Sequence, residues 1–150
     1  MNNNTYQIET VNDWKRIEQV LLLFNTSFPR LLSERVGSLE QYARKLADNA
    51  VVDVVSMEDK IIGFVAFYCN DVLTKRAFLT QIAVVDDYKG QNIGNILLEL
   101  CVEKVKKNGM KKLICEVDDD NVAALKFYDK NGFTNVVKAS ECSLFLEKIL

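Results

Sequence analysis

Residues 79–100 read LTQIAVVDDYKGQNIGNILLEL, and the prediction of the fold starts from this stretch. It begins as an apolar strand and ends as a helix, with a polar turn between them. The turn carries Gly90 and Gly94 where the helix should begin. Exposed amides and the helix dipole favour an anion at such a position, and glycine lets a ligand approach the backbone closely. The turn is therefore a candidate anion-binding site, with a plain strand-to-helix turn as the alternative.

The whole chain predicts an α+β (α/β) protein in the order β-α-α-β-β-β-α-β-α-β-β. Asn12 or Asp13 is expected to cap the first helix, and Ser38 with Gln41 resembles a capping box for the second. The predicted helices cover approximately residues 13–25, 38–48, 93–108 and 121–130. The predicted strands cover approximately residues 6–9, 51–56, 60–68, 75–85, 112–117, 134–138 and 142–148. No repeat or Gly/Ser/Pro-rich linker interrupts this order, so a single domain over residues 1–150 is expected.

Composition excludes several kinds of chemistry. The net charge of −2 gives no chain-wide attraction for nucleic acid or an anionic membrane. The chain contains no histidine, so a Ser-His-Asp triad, a Cys-His pair and histidine metal ligands are excluded. No two cysteines stand close enough for a C-x-x-C pair, and no metal site is predicted. Proton transfer must therefore use a carboxylate, tyrosine, cysteine, lysine or water.

The four cysteines have largely apolar neighbours, which predicts buried free thiols in a reducing compartment. The first residues lack the basic and apolar regions of a signal peptide. The longest apolar runs are much shorter than a membrane span. These features predict a cytoplasmic protein that does not enter a membrane.

A second series of residues identifies a family. It runs Glu116-Val117, then Asn121-x-x-Ala124-x-x-Phe127-Tyr128, then Asn131-Gly132-Phe133. Together with the turn, this series resembles the GNAT superfamily of acetyltransferases, whose loop pattern reads [Q/R]-x-x-G-x-[G/A]. The resemblance covers about residues 79–133, and the predicted element order agrees along the whole length. It implies a mixed central β-sheet flanked by helices.

Three loop residues depart from that pattern. Lys89 stands where the family usually has Arg or Gln, Asn92 where its first loop glycine lies, and Asn95 where a small residue is common. Asparagine tolerates left-handed backbone geometry, so we expect the loop to form. The departures raise the alternative of weakened coenzyme binding.

The resemblance implies acetyl-coenzyme A as co-substrate and assigns residues to it. The backbones of Ile82 and Val84 would hydrogen bond to the pantetheine arm, which would lie beside β-strand residues as an added strand does. A backbone amide at Ile82 or Ala83 would bind the thioester oxygen. Three residues, Asn121, Ala124 and Phe127, would flank the pantetheine and the thiol end. The pyrophosphate would be wrapped by the turn residues Gly90, Gln91, Asn92, Ile93, Gly94 and Asn95. Lys89 can add positive charge at the rim of this turn.

Two residues are candidates for catalysis by the same resemblance. Tyr128, which would also touch the coenzyme, would supply its hydroxyl to the coenzyme sulfur as the acid; the alternative is a core aromatic. Glu116 would be the base that deprotonates the amine, with ordered water or a merely solvent-facing glutamate as alternatives. Strand alternation predicts that Glu116 faces away from Cys115 and Val117.

Three functions remain open from the sequence. The first is an N-acetyltransferase for the primary amine of a small molecule, such as an amino sugar, amino acid or polyamine. The second is a protein or peptide N-terminal acetyltransferase, and the third is a coenzyme-binding module without turnover. A monomer or homodimer is expected. Candidates for the acceptor pocket are Phe28, Arg30, Arg35, Tyr42, Tyr68, Asn70 and Asp71.

Overall fold

A seven-stranded mixed sheet forms the centre of the computed structural model, which describes residues 5–150 apart from the side chains of residues 135 and 136. The strands lie in the order β1-β2-β3-β4-β5-β7-β6, and among the strands of the described chain only β4 and β5 run parallel. Their bounds are β1 Gln7–Thr10, β2 Val51–Met57, β3 Lys60–Tyr68, β4 Arg76–Val84, β5 Lys112–Asp118, β6 Thr134–Lys138 and β7 Ser143–Ile149. The predicted α+β class with a mixed sheet is confirmed.

Within residues 5–150, five α-helices and a short 3₁₀ turn at Asp86–Tyr88 flank this sheet. The helices are α1 Trp14–Leu23, α2 Leu32–Val36, α3 Leu39–Asn49, α4 Ile93–Lys107 and α5 Val122–Lys130. Helix α2 was not predicted, so the predicted order is corrected to three helices between β1 and β2. At five residues it is too short to show helical periodicity, and Leu31 before it offers no side-chain cap.

The two faces of the sheet carry separate hydrophobic cores. Strand alternation sends Val54 and Phe64 to the core beneath α1–α3, and Val65 and Phe67 to the core beneath α4 and α5. We name these the α1–α3 face and the α4–α5 face. A side chain near the edge of either core can therefore be assigned to one side of the molecule.

The parallel strands β4 and β5 diverge. They pair only at residues 76–78 of β4 with 112–114 of β5. Beyond that point β4 remains paired to β3, and β5 remains paired to β7. Within the described chain, the β4 edge at residues 79–84 therefore has no strand partner on its β5 side, and a gap opens through the sheet.

Two further expectations are answered by the described residues. Cys101 and Cys115 are buried as predicted, but Cys69 is only half-buried and Cys142 is exposed. Cys142 differs because it precedes β7 in the turn from β6, outside either core. No helix among residues 5–150 is both long and apolar enough to cross a membrane. The single domain over residues 1–150 stays a prediction.

Candidate functional site

A cleft of about 830 Å³ occupies the gap between β4 and β5. Its walls come from residues 27–35 around the start of α2, residues 80–84 of β4, residues 88–95 before and within α4, and residues 116–130 of β5 and α5. The cleft thus joins the motifs that the sequence singled out. It also brings in the segment before α2, which is distant from them in the chain.

The end of β4 lines the cleft with the residues predicted to hold the pantetheine arm. Ile82 and Val84 pair with Val65 and Gly63 of β3 on one side. Ala83 lies between them, and all three border the cleft. Their β5-facing edge is therefore available to an extended ligand, because backbone groups on an unpaired edge seek hydrogen-bond partners.

The turn into α4 presents free backbone amides. The first hydrogen bond within α4 is donated by Ile96, and Asn92 at the N-cap makes no side-chain cap. By contrast, α1, α3 and α5 are each capped by a side chain. The amides of Ile93, Gly94 and Asn95 consequently lack intrahelical acceptors and carry the positive end of the helix dipole. This geometry suits an anionic ligand.

Asn92 adopts the left-handed geometry that was expected of it. Its φ is +70° and its ψ is 10°, so the asparagine reproduces a backbone conformation that glycine adopts readily. Gly90 also has a positive φ, of +83°. The turn therefore forms without the usual first loop glycine.

A chain of asparagine side chains ties the turn to α5. Asn95 donates to Oδ1 of Asn92 at 2.5 Å, and Asn131 donates to Oδ1 of Asn95 at 3.2 Å. Asn131 also donates to the backbone carbonyl of Phe127 at 2.7 Å. The departure at Asn95 thus has a structural role, because its amide can both donate and accept.

Two predicted turn residues are placed less favourably for a ligand. Lys89 lines the cleft, but its ammonium group forms an exposed ion pair with Asp86 at 2.9 Å. The side chain of Gln91 instead donates a long hydrogen bond, 3.5 Å, to the carbonyl of Asp87, and Gln91 does not line the cleft. The backbone amide of Gln91 donates to the carbonyl of Tyr88 at 3.3 Å. The predicted role of Gln91 in coenzyme binding stays a prediction.

Helix α5 forms the wall opposite β4. Asn121 caps it by accepting a hydrogen bond from the Ala124 amide at 3.2 Å, and both residues line the cleft. A Cβ added at Gly94 would lie 3.4 Å from the Phe127 ring, so the turn and α5 are in close contact. Asn121 therefore has a structural role in addition to the predicted position beside a ligand.

Tyr128 is buried at the base of the cleft. Its ring packs edge-on against Phe127 and Phe133, with centroids 5.3 and 5.0 Å apart. Burial, and secondarily the neighbouring Cys115 thiol, raise the pKa of Tyr128 well above its usual value. The hydroxyl therefore remains protonated across the physiological range. It is within hydrogen-bonding reach of the buried Cys115 thiol, and Tyr128 is one of the residues that line the cleft.

Glu116 points to the face that alternation predicted. Cys115 and Val117 are buried in the α4–α5 core, whereas Glu116 is exposed and lines the cleft. Its carboxylate accepts a 2.7 Å hydrogen bond from the hydroxyl of Ser143, which is only 3% exposed. Glu116 is thus an oriented side chain on the α1–α3 face.

Sequence reasoning missed Ser143 and two residues of β4. The register of β3 and β4 shifts so that Thr80 has no cross-strand partner, which marks a β-bulge. The hydroxyl of Tyr42 lies 3.1 Å from Oγ1 of Thr80 and accepts from Nε2 of Gln81 at 3.1 Å. Gln81 is buried and lines the cleft. A glutamine inside an apolar strand was the available signal.

The candidates for the acceptor pocket separate into groups. Three of them, Phe28, Arg30 and Arg35, line the main cleft. Tyr42 contacts Thr80 and Gln81 at the β4 bulge but does not line the cleft. The remaining candidates belong to a second cavity of about 460 Å³ over β4, β5 and β7; they are Tyr68, Asn70 and Asp71. They border this cavity because the α1–α3 helices do not extend over β5–β7.

The split between β4 and β5 and the uncapped start of α4 beside it form one anion-binding cleft through a mixed sheet. The chain belongs to the acetyltransferase (GNAT) family, whose model matches residues 14–133. It is 38% identical over 68 residues to the ribosomal protein bS18-alanine N-acetyltransferase of Escherichia coli, covering 45% of this chain and 46% of that protein. It is 37% identical over 77 residues to streptothricin acetyltransferase A of Bacillus subtilis, covering 51% and 43%.

The chain thus spans about half the length of the curated relatives it matches. Likeness to solved structures extends further. The PaiA N-acetyltransferase of Thermoplasma acidophilum, solved in complex with coenzyme A, superposes with a TM-score of 0.73 at 19% identity. That superposition covers 96% of this chain and 99% of the other. At such low identity the likeness concerns the fold.

Proposed function

We propose that this chain is an acetyl-coenzyme-A-dependent N-acetyltransferase that acetylates the primary amine of a small molecule. The observation that carries the proposal is the cleft through the sheet. It has free α4 amides and an unpaired β4 edge on one side, and Glu116 and Tyr128 beside the gap. Membership of the acetyltransferase family supports this choice.

The residues of the cleft fit the coenzyme. The free amides of Gly94 and Asn95 and the left-handed turn at Asn92 suit a pyrophosphate, because they concentrate positive potential without a capping side chain. The edge of β4 at Ile82 and Val84 suits the amides of a pantetheine arm. When bound, acetyl-coenzyme A supplies an activated thioester carbonyl.

Glu116 is the proposed base. Its hydrogen bond from Ser143 orients the carboxylate, and its exposure leaves it open to an acceptor. Glu116 would accept the proton of the acceptor ammonium, directly or through water, because only the neutral amine is nucleophilic. An amide of Ile82 or Ala83 on the unpaired β4 edge would hydrogen bond to the oxygen that becomes negatively charged.

Tyr128 is the proposed acid. Its raised pKa keeps the hydroxyl neutral, so it can stabilise the departing sulfur by donating a hydrogen bond. Its packing against Phe127 and Phe133 limits the movement of the ring. A positioned donor of this kind does not have to reorganise during the reaction.

A second candidate is acetylation of a protein or peptide N-terminus. It is favoured by Glu116, which matches the glutamate of family members that act on protein N-termini, and by the name of the E. coli relative. The third possibility, a coenzyme-binding module without turnover, is motivated by the departures from the family pattern at Lys89 and Asn92. The ion pair of Lys89 with Asp86 supports it, because that charge is already paired.

We also propose a single domain and a cytoplasmic location. The four free cysteines support a reducing compartment. The near-neutral net charge supports a small-molecule partner rather than nucleic acid.

The deciding experiment follows thiol release from acetyl-coenzyme A across amines and short peptides, with coenzyme binding measured in parallel by calorimetry. Turnover with a small amine and not with peptides supports the first function. The reverse result supports the second, and coenzyme binding with no turnover supports the third. Absence of coenzyme binding would overturn all three.

A further inference from the structure

The segment before α2 borders the acceptor side of the cleft. Leu32 of α2 is buried in the α1–α3 core, whereas Ile93 at the start of α4 is buried in the α4–α5 core. Residues 27–35 and the turn at 88–95 therefore reach the cleft from opposite faces of the sheet. Since the turn holds the coenzyme in the proposed function, residues 27–35 are left for the acceptor.

This acceptor side carries two arginines that lack anionic partners. Among residues 5–150, neither Arg30 nor Arg35 forms an ion pair, whereas Arg16 outside the cleft is paired with Glu9 at 2.7 Å. The guanidinium carbon of Arg35 lies 5.3 Å from the centre of the Phe28 ring. This cation–π contact restrains the Arg35 side chain, so less conformational entropy is lost when it binds a ligand.

A carboxylate borders the same side. Glu116 faces away from the α4–α5 core and lines the cleft with Arg30 and Arg35. Asp118, two positions further along β5 and so on the same face, also lines the cleft. The acceptor side therefore has one positively charged wall and two carboxylates. A ligand that satisfies both must carry a cation and an anion.

We propose that the acceptor is a small primary amine that also bears an anionic group, either a carboxylate or a phosphate. The inference rests on the proposed function and narrows its substrate. The ammonium group lies toward Glu116, and the anion lies between the guanidinium groups, which bind both carboxylate and phosphate with two parallel hydrogen bonds. Polyamines are disfavoured because their second cation meets Arg30 and Arg35.

The first test compares matched acceptors with and without the anion. An α-amino acid is compared with its carboxamide, and phosphoethanolamine with ethanolamine, by kcat/KM for thiol release. We expect kcat/KM to be about tenfold or more higher for the anionic member of at least one pair. The pair that shows this difference identifies whether the acceptor carries a carboxylate or a phosphate. Equal kcat/KM within both pairs overturns the proposal.

The second test removes the arginines. The double variant Arg30→Gln/Arg35→Gln is expected to raise KM for the anionic acceptor about tenfold or more, with KM for its neutral partner changed less than about twofold. Lys45→Gln removes an exposed charge outside the cleft and should leave both values unchanged. Arg35→Lys should retain part of the preference, because it keeps the charge.

The outcomes separate this inference from the proposed function. If no amine is acetylated, the proposed function fails. If the anionic acceptor is acetylated as well by the double variant as by the original chain, only the anionic-acceptor proposal fails. Circular dichroism melting of each variant verifies that it is folded.

Discussion

Ser143 donates its hydroxyl hydrogen to Oε2 of Glu116 across 2.7 Å, from the strand that pairs with the strand of Glu116. The hydroxyl oxygens of Ser140 and Ser143 lie 2.8 Å apart, and the Ser140 hydroxyl accepts a hydrogen bond from the Cys142 amide. The end of the β6–β7 connection thus orients the candidate base. Glu116 and Ser143 are separated by 27 positions in the chain, so no local sequence pattern predicts their contact.

Glu116→Gln tests the base. The amide keeps the shape of the side chain but cannot accept the ammonium proton, so we expect kcat to fall about tenfold to a hundredfold near neutral pH, with unchanged coenzyme affinity. Turnover rates with a saturating amine check this. A loss of less than twofold would assign deprotonation to ordered water.

Ser143→Ala tests the orientation of Glu116. Loss of one hydrogen bond to a charged group should lower kcat about three- to tenfold while KM for the amine changes little. Ser140→Ala, one hydroxyl further from the carboxylate, is the matched control and should have a smaller effect. If both variants lost kcat equally, the cause would be the β6–β7 connection as a whole.

Tyr128→Phe tests the acid. Phenylalanine keeps the packing against Phe127 and Phe133, so we expect turnover to fall roughly tenfold to a thousandfold with coenzyme binding near the original value. Tyr6→Phe removes a phenol from the start of the described chain and serves as control. Unchanged turnover in Tyr128→Phe would remove Tyr128 from the mechanism.

Substitutions at Gly94 test the coenzyme turn. A Cβ there would meet Phe127 at 3.4 Å, an ordinary contact, so Gly94→Ala should bind coenzyme A within about threefold of the original. Gly94→Leu should weaken binding about tenfold or more, because the larger side chain occupies the approach to the amides. Calorimetric titration measures both. Tight binding by Gly94→Leu would contradict the assigned turn.

Buried thiols predict a loss of stability at alkaline pH. Burial raises the pKa of Cys115 to about 12, and the pKa of Cys101 is also raised by burial. In the unfolded chain both thiols ionise near pH 9. Because the pKa of each thiol is higher in the folded than in the unfolded chain, the protonated thiols stabilise the folded state. This contribution is complete below the unfolded-state pKa and is lost as the pH rises above it. Above pH 9 the free energy of unfolding should fall by about 1.4 kcal/mol per pH unit for each thiol.

Urea denaturation between pH 7 and 10.5 measures this slope. The Cys101→Ala/Cys115→Ala variant, although less stable at neutral pH, should show a shallower decline above pH 9, because two ionising groups are removed. A free energy of unfolding that is independent of pH in this range would contradict the burial of both thiols.

Local chemistry explains why much of the fold was predictable. Asp13, Ser38 and Asn121 are caps in the structure because their side chains accept hydrogen bonds from amides two or three residues on. Strand β3 and strand β6 have the predicted bounds. Helix α2 escaped prediction because five residues are too few for a period of 3.6 to be seen.

The site was predictable only in part. The turn at 89–95, the α5 residues and Glu116 were identified by motif, and the structure brings most of them to one cleft. The link from Tyr42 to Gln81 was not predicted, because it depends on a bulge whose register is set by β3. Nor did the motif indicate that Tyr128 is buried beside Cys115.

By itself the sequence determined the family, the order of elements, and the residues around the turn, because periodicity, capping and motif spacing act over a few neighbouring positions. Only the tertiary structure decided that β4 and β5 separate beyond Phe78 and Ile114 and that residues 27–35 close one side of the resulting cleft. Those relationships arise from packing between segments far apart in the chain. They depend on where the two cores hold each strand, which no local pattern encodes.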